Sequence, residues 1–285
     1  MCVDAISLGV FRNLFSSVAE EMGVTLQRAS FSPNIKERQD FSCAVFDHLG
    51  RMVAQAAHIP VHLGSMPASV KSAINSFPAV QPGDVIVLND PYRGGTHLPD
   101  ITMVSPVYTD KQLSFFVASR AHHADVGGMS PGSLPLSTEL YQEGLIIPPI
   151  KLSRAGQIDP DILSLITANT RAPDERKADL QAQLAAHAVG ESRLGEMIGK
   201  YGSEVVQEHA LALMDYSQRM TESVISSIPE GEYVFHDALE GPPPENESIP
   251  IQVRISVDQS TMLVDFKGSS PQVVGNLNAV KAVVD

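Results

Sequence analysis

Residues 94–125 read GGTHLPDITMVSPVYTDKQLSFFVASRAHHAD, and the fold turns on how this stretch pairs with itself. Two runs rich in Val, Ile, Phe and Tyr, DITMVSPVY and LSFFVASRA, flank the polar turn TDKQ, which is the pattern of a β-hairpin. Centring the turn near Lys111 sets Tyr108 opposite Ser114 and Asp100 opposite His122. Residues directly opposite across two strands hold their Cβ atoms about 4.5–5.5 Å apart, close enough to share one ion. His97 lies three residues before Asp100, where Pro99 disfavours a helix. Gly94 and Gly95 let the backbone bend so that His97 folds back over Asp100. A register slipped by one residue would turn His122 away and offer His123 instead.

Two imidazoles with one or two carboxylates suit a divalent ion such as Zn²⁺, Mn²⁺ or Fe²⁺ and leave positions open for water and substrate. A further carboxylate can come from KERQD, with Asp40 and Glu37 as candidates that spacing alone does not separate. The competing reading is ordinary: histidines at strand ends bond to backbone, and Asp before a strand caps a turn. Convergence of His97, Asp100 and His122 through one register brings the metal reading level with the ordinary one. His58 and His62 are four apart, but Pro60 between them argues against a helical ligand pair, and they read as satisfied loop histidines. Arg93 and Arg120 flank the cluster and can hold an anionic substrate, with His62 as a third substrate-binding candidate, or the two arginines simply pair with Asp90 and Asp125. His187, His209 and His236 read as helix or strand surface.

Composition narrows the function. A chain of 285 residues, 43% hydrophobic and 19% charged, can bury a proper core as one large domain or two modest ones. A net charge of −13 argues against nucleic acid and against an anionic membrane surface. Cys2 and Cys43 are too few for a disulfide framework or a thiolate metal site, and they fit a reducing cytoplasm. No apolar run reaches the length of a membrane span. MCVDAISLGVF lacks the basic start of a secretion signal. Neither a GxxxxGK[ST] phosphate loop nor a nucleophile elbow occurs.

Outward from the hairpin, Asp4 can cap a helix over 5–27, on which Val10, Leu14, Val18 and Met22 recur at helical spacing. FSCAVFD and RMVAQAA read as a second hairpin turning at Asp47 and Gly50, followed by a helix from about Pro67 to Phe77 and the strand VIVLN. Residues 126–160, rich in Gly, Pro and Ser, read as a long functional loop region. From Pro173 a helical pattern runs to about Ser227 with interruptions near Gly190 and Gly202. GEYVFHDALE, IPIQVRISVD and TMLVDFKG read as strands around a GPPPENES loop. The fold class expected is α+β with antiparallel hairpins, arranged as a metal-site core over 1–170, a helical segment over 171–228 and a β-rich segment over 229–285. The final NLNAVKAVVD lies inside an apolar pattern without a stop signal, so a continuing polypeptide is expected.

Five blocks together carry a resemblance: LNDPYRGGTHLPDITMVSPVY, VASRAHHADVGGMSPGS, YQEGLIIPPIKL, SPNIKERQDFSCAVFD and AAHIPVHLGSMPASV. They resemble the hydantoinase B family, which includes the B-type component of N-methylhydantoinase, subunits of acetone and acetophenone carboxylases, and the corresponding half of 5-oxoprolinase. The likeness runs in order from about residue 5 to the last residue. It implies a larger hydantoinase A-like partner subunit that binds ATP, and a small cyclic amide substrate such as a hydantoin or 5-oxoproline. It also implies a divalent metal centre on His97, Asp100 and His122, with Asp40 as the further carboxylate and Glu37 as its rival. In that hydrolase reading, His123 or Glu37 moves the proton as general base. Carboxylation of a small ketone is the alternative chemistry, and a non-catalytic assembly subunit is the alternative class. Family chains run well past the length seen here, so the resemblance is to an N-terminal portion.

Overall fold

Asp4 opens the first helix by accepting hydrogen bonds from the backbone N–H groups of Ile6 and Ser7, at 2.8 and 3.0 Å. The structure, a computed structural model, describes residues 3–241 and 247–284. Helix α1 spans Ala5–Ala29, and a single turn, α2, spans Pro33–Lys36. Strands β1 (Phe41–Asp47) and β2 (Met52–Gln55) form the expected hairpin, with the Asp47 carboxylate capping its turn through the N–H groups of Leu49 and Arg51. Helix α3 (Pro60–Ser76), β3 (Val85–Leu88), β4 (Asp100–Thr109) and β5 (Gln112–His122) follow. Then come β6 (Ile150–Arg154), β7 (Gln157–Ile158), α4 (Pro160–Ala168), α5 (Pro173–Tyr201) and α6 (Ser203–Ser226). The described chain closes with β8 (Gly231–Glu240), β9 (Ser248–Asp258), β10 (Thr261–Asp265) and the short α7 (Lys281–Val284).

The first seven strands make one antiparallel sheet in the order β2-β1-β5-β4-β3-β6-β7, and the last three make a second, β10-β9-β8. The large sheet is covered on both faces, which is why its central strands read as nearly unbroken apolar runs. On one face Ala44, Phe46, Val104, Phe116 and Ala118 pack against Leu63, Met66 and Val70 of α3. On the other, Cys43, Val45, Val107, Phe115 and Val117 pack against Phe15, Val18 and Met22 of α1 and Ala182 and Ala186 of α5.

Four expectations are corrected. Helix α3 begins at Pro60, not near Pro67; proline at a first helical position gives up only an N–H that would have no partner there. The stretch 126–160 is not all loop. Lys151 pairs with Ile86 on β3, so β6 and β7 extend the sheet, and α4 has already begun at Pro160. Helix α5 runs through Gly190 without a break. A side chain there would put its Cβ 2.6 Å from Sδ of Met22 and 3.0 Å from Val117, so Gly190 marks close helix packing rather than a helix end. His187 and His209 are buried, not surface. The remaining break falls where expected, at Gly202, and the GPPPENES loop lies mostly at 242–246, outside the described residues.

Candidate metal centre

The β4–β5 hairpin holds the anticipated register, with Asp100 paired to His122 and Thr102 to Arg120. Nearer the turn the count shifts: a bulge between Val107 and Tyr108 pairs Tyr108 with Leu113 rather than Ser114. Asp100 and His122 therefore project on the α3 side of the sheet, while His123 falls on the other.

Around Asp100 the donors gather. Nδ1 of His122 is 3.2 Å from Oδ1 of Asp100, and Nδ1 of His97 is 3.2 Å from Oδ2. Nε2 of His97 is 3.2 Å from Nδ1 of His122. One potential ligand atom from each of His97, Asp100 and His122 lies within 4.8 Å of the other two. The Thr96 hydroxyl donates to Oδ2 of Asp100 at 2.7 Å. His97 reaches back through a turn closed by the Asp100 N–H on the His97 carbonyl at 3.0 Å. The buried Asn89 side chain fastens that turn, donating to the Leu98 and Leu145 carbonyls at 2.8 and 2.9 Å. Gly94, at φ 94°, leaves no room for a Cβ against the Ala68 carbonyl.

Asp40 enters from the far side. Gln39 adopts a left-handed φ of 56°, which turns the chain at the end of the α2 loop. The Asp40 carbonyl then accepts from the His122 N–H at 2.9 Å, and its Oδ2 lies 4.0 Å from Nδ1 of His122. Asp100 is 1% exposed, whereas the side chains of His97 and Asp40 are 33% and 35% exposed, so the cluster opens on their side. Burial opposes ionisation of Asp100, but hydrogen bonds from His122, His62 and His97 hold its carboxyl well below the usual range. Burial likewise disfavours a charged His97, yet the Asp100 carboxylate outweighs it and raises the imidazole above its ordinary value.

The remaining candidates separate. Glu37 caps the end of α2 and is exposed, taking no part in the contacts around Asp100. Arg93 is exposed, 3.7 Å from Asp90, and lines a cleft of about 1520 Å³ between α3 and the C-terminal segment that none of the cluster residues borders. Arg120 is wholly buried; Nε donates to Thr102 at 2.8 Å and Nη2 to Ser69 at 2.7 Å, and Nη1 meets Ser65. The pairing of Arg120 with Asp125 does not occur: Asp125 bonds Arg171 at 2.9 Å instead. His123 is sealed behind the sheet, with Nε2 3.0 Å from Oε1 of Gln183 and Nδ1 3.1 Å from Nη1 of Arg176. Burial, and then the Arg176 charge, push it down to about 4. His62 is the surprise. It lies in the first turn of α3, 3% exposed, with Nε2 3.4 Å from Oδ2 of Asp100 and 3.7 Å from Oδ1 of Asp40. The sequence does hold a signal for this: Pro60, taken as a helix barrier, is a good first residue of the helix that carries His62.

The cluster and its scaffold define a class: an α+β protein whose central hairpin gathers imidazoles around a buried carboxylate, a donor set suited to a divalent cation. The chain belongs to the hydantoinase B/oxoprolinase family, whose model matches residues 4–285. It is 38% identical to 5-oxoprolinase 1 of Arabidopsis thaliana over 98% of its own length and 24% of that protein's. It is 35% identical to the B-type component of a putative D-/L-hydantoinase of a Pseudomonas strain, over 95% of this chain and 48% of that one. The crystal structure of the ATP-dependent caprolactamase from Pseudomonas jessenii superposes with a TM-score of 0.93 at 33% identity, covering 99% of this chain and 49% of that one. The chain thus spans about half the length of these last two relatives. Among the described residues, no helix is long and apolar enough to cross a membrane.

Proposed function

We propose that this chain is the hydantoinase B-type component of an ATP-dependent cyclic amide hydrolase, in which Asp40, His97, Asp100 and His122 hold a divalent cation, Mn²⁺, Zn²⁺ or Fe²⁺. The observation that carries the reading is the convergence of His97, Asp100 and His122 within 4.8 Å around a buried, ionised carboxylate. The donor set fits such an ion: two imidazole nitrogens with carboxylate oxygens, closed on the sheet side and open toward solvent at His97 and Asp40. The names of the relatives point to ring amides, since 5-oxoproline, hydantoin and caprolactam all contain one.

A ring amide is a poor electrophile. Activation of its oxygen with ATP on a hydantoinase A-like partner subunit would make the carbon attackable. A divalent cation at this centre would supply a nucleophile by lowering the pKa of water from about 15.7 toward about 7. The chain's own residues set the geometry: Thr96 fixes one oxygen of Asp100, and the 97–100 turn aims His97. His97 and Asp40 line the open side from which a ring can approach. Of the two general-base candidates, Glu37 stands in solvent, while His123 is behind the sheet. Arg93 is the exposed cation among the substrate-binding candidates. A cytoplasmic location accords with the free, buried Cys43 thiol.

The test is elemental analysis by ICP-MS of the purified chain beside a His97→Ala, His122→Ala double variant. Near-stoichiometric Mn, Zn or Fe that disappears in the variant is expected, and it leads to assays of hydantoins and 5-oxoproline with ATP and the partner. A folded chain that takes up none of these metals after incubation with them would overturn the reading.

A further inference from the structure

The two carboxylates of the cluster are each held from both ends. Asp100 turns Oδ1 to His122 at 3.2 Å and Oδ2 to His62 at 3.4 Å. Asp40 turns Oδ2 to His122 at 4.0 Å and Oδ1 to His62 at 3.7 Å. His62 therefore faces, on both residues, the oxygen opposite the one that faces His122. Oδ2 of Asp100 also meets His97, but His62 stands outside the group of His97, Asp100 and His122 whose ligand atoms lie within 4.8 Å of one another. An imidazole that touches both carboxylates from outside that group acts on how those carboxylates are aimed.

We infer that His62 is a positioning residue of the centre, one imidazole that orients both Asp40 and Asp100 from behind, rather than a contact for substrate. The inference rests on the reading of the cluster as a metal centre. Its chemistry follows from the neighbours. Nε2 of His62 lies 3.4 and 3.7 Å from oxygens of Asp100 and Asp40, and an ionised carboxylate only accepts, so Nε2 presents its N–H between them while Nδ1 faces the Ser42 hydroxyl at 3.4 Å. At 3% exposure His62 is closed to a ring substrate.

The helix that carries it is itself anchored. Nη1 of Arg120 lies 3.4 Å from the His62 carbonyl and meets Ser65, while Nη2 reaches Ser69 one turn further on. Ser69 in turn donates to the Gly94 carbonyl at 2.5 Å, at the start of the loop that delivers Thr96 and His97. Arg120 thus ties the His62 turn, strand β4 and the His97 loop into one frame. Groups that hold metal ligands in place from behind set metal affinity by about 10–100-fold.

The experiment is Mn²⁺ affinity, measured on the full 285-residue chain by competition with a chromophoric chelator, for wild type, His62→Leu and His62→Gln. Leucine keeps bulk and removes the N–H; glutamine keeps bulk and an amide N–H; His62→Met serves in place of leucine should that variant not fold. The expected result is a dissociation constant raised about 10–100-fold by leucine and brought back within a few-fold of wild type by glutamine. Wild-type affinity in the leucine variant would overturn the inference and leave the metal reading standing. Equal loss in leucine and glutamine variants would make His62 a ligand and overturn the positioning role. A wild-type chain that binds no Mn²⁺, Zn²⁺ or Fe²⁺ would instead remove the metal reading, and this inference with it.

Discussion

Asp100 and His122 are direct partners in the β4–β5 register, and Nδ1 of the histidine lies 3.2 Å from Oδ1 of the aspartate. The hairpin is thus both the centre of the sheet and the frame of the cluster. Because Asp100 is buried and ionised, its charge is the fixed point around which His62, His97 and His122 arrange. Asp100→Asn keeps the shape and deletes the charge. Metal affinity should fall at least about tenfold, the lower bound for a group that merely orients a ligand. Chelator competition measures it, and an unchanged affinity would show that Asp100 is not a ligand.

The loop bearing His97 depends on Gly94. A Cβ there would sit 2.5 Å from the Ala68 carbonyl oxygen at a φ of 94°. Gly94→Ala should cost about 1–3 kcal/mol of unfolding free energy in urea and should also weaken metal binding, since His97 follows the loop. Gly9→Ala, in α1 with nothing within 4 Å of the new Cβ, is the control and should stabilise by up to about 1 kcal/mol.

Arg120 is a strut whose fork spans Thr102, Ser65 and Ser69. Lysine cannot reproduce that fork. Arg120→Lys should leave buried hydroxyls unpaired and lower stability by about 2 kcal/mol or more. A loss under about 0.5 kcal/mol by urea titration, within the range of ordinary surface changes, would mean the network carries little of the fold.

His187 bridges the Ser105 and Ser119 hydroxyls at 2.7 and 2.9 Å inside the α5 face of the sheet. Burial holds it neutral and pushes it down to about 3. The unfolded chain protonates this ring below about 6.5, so its contribution to stability is present above that pH and is lost as pH falls toward 3. In this window stability should fall by up to about 1.4 kcal/mol per pH unit on account of this group. His187→Gln should flatten the dependence of stability on pH between 6 and 4 by that one-proton share; parallel curves for variant and wild type would show that His187 is protonated in the folded state.

The register of the 100–122 hairpin was legible because it is a local matter: period-two apolar patterning and a short polar turn leave one alignment that buries both runs. That alignment brought His97, Asp100 and His122 together before any tertiary contact was known. The helices at 5–29 and 173–226 were legible for the same reason, from caps, spacing and the glycine at 202. The hairpin over 150–158 was not, because its strands are short and gain their apolar partners only by docking beside β3.

What the sequence by itself determined is therefore the α+β class, the family blocks and the core of the candidate centre. Only tertiary structure decided which of the other polar residues belong to it. His62 is 38 residues from Asp100 and reaches it because α3 lies across the sheet. Asp40 arrives through a left-handed residue that no local propensity demands, and Glu37, three positions earlier, is left in solvent. His123 goes to the opposite face because neighbours on a strand point opposite ways, and Arg120 is drawn inward because α3 supplies serines where a substrate was expected. These choices depend on how layers pack, and packing is decided by contacts between residues that the sequence keeps far apart.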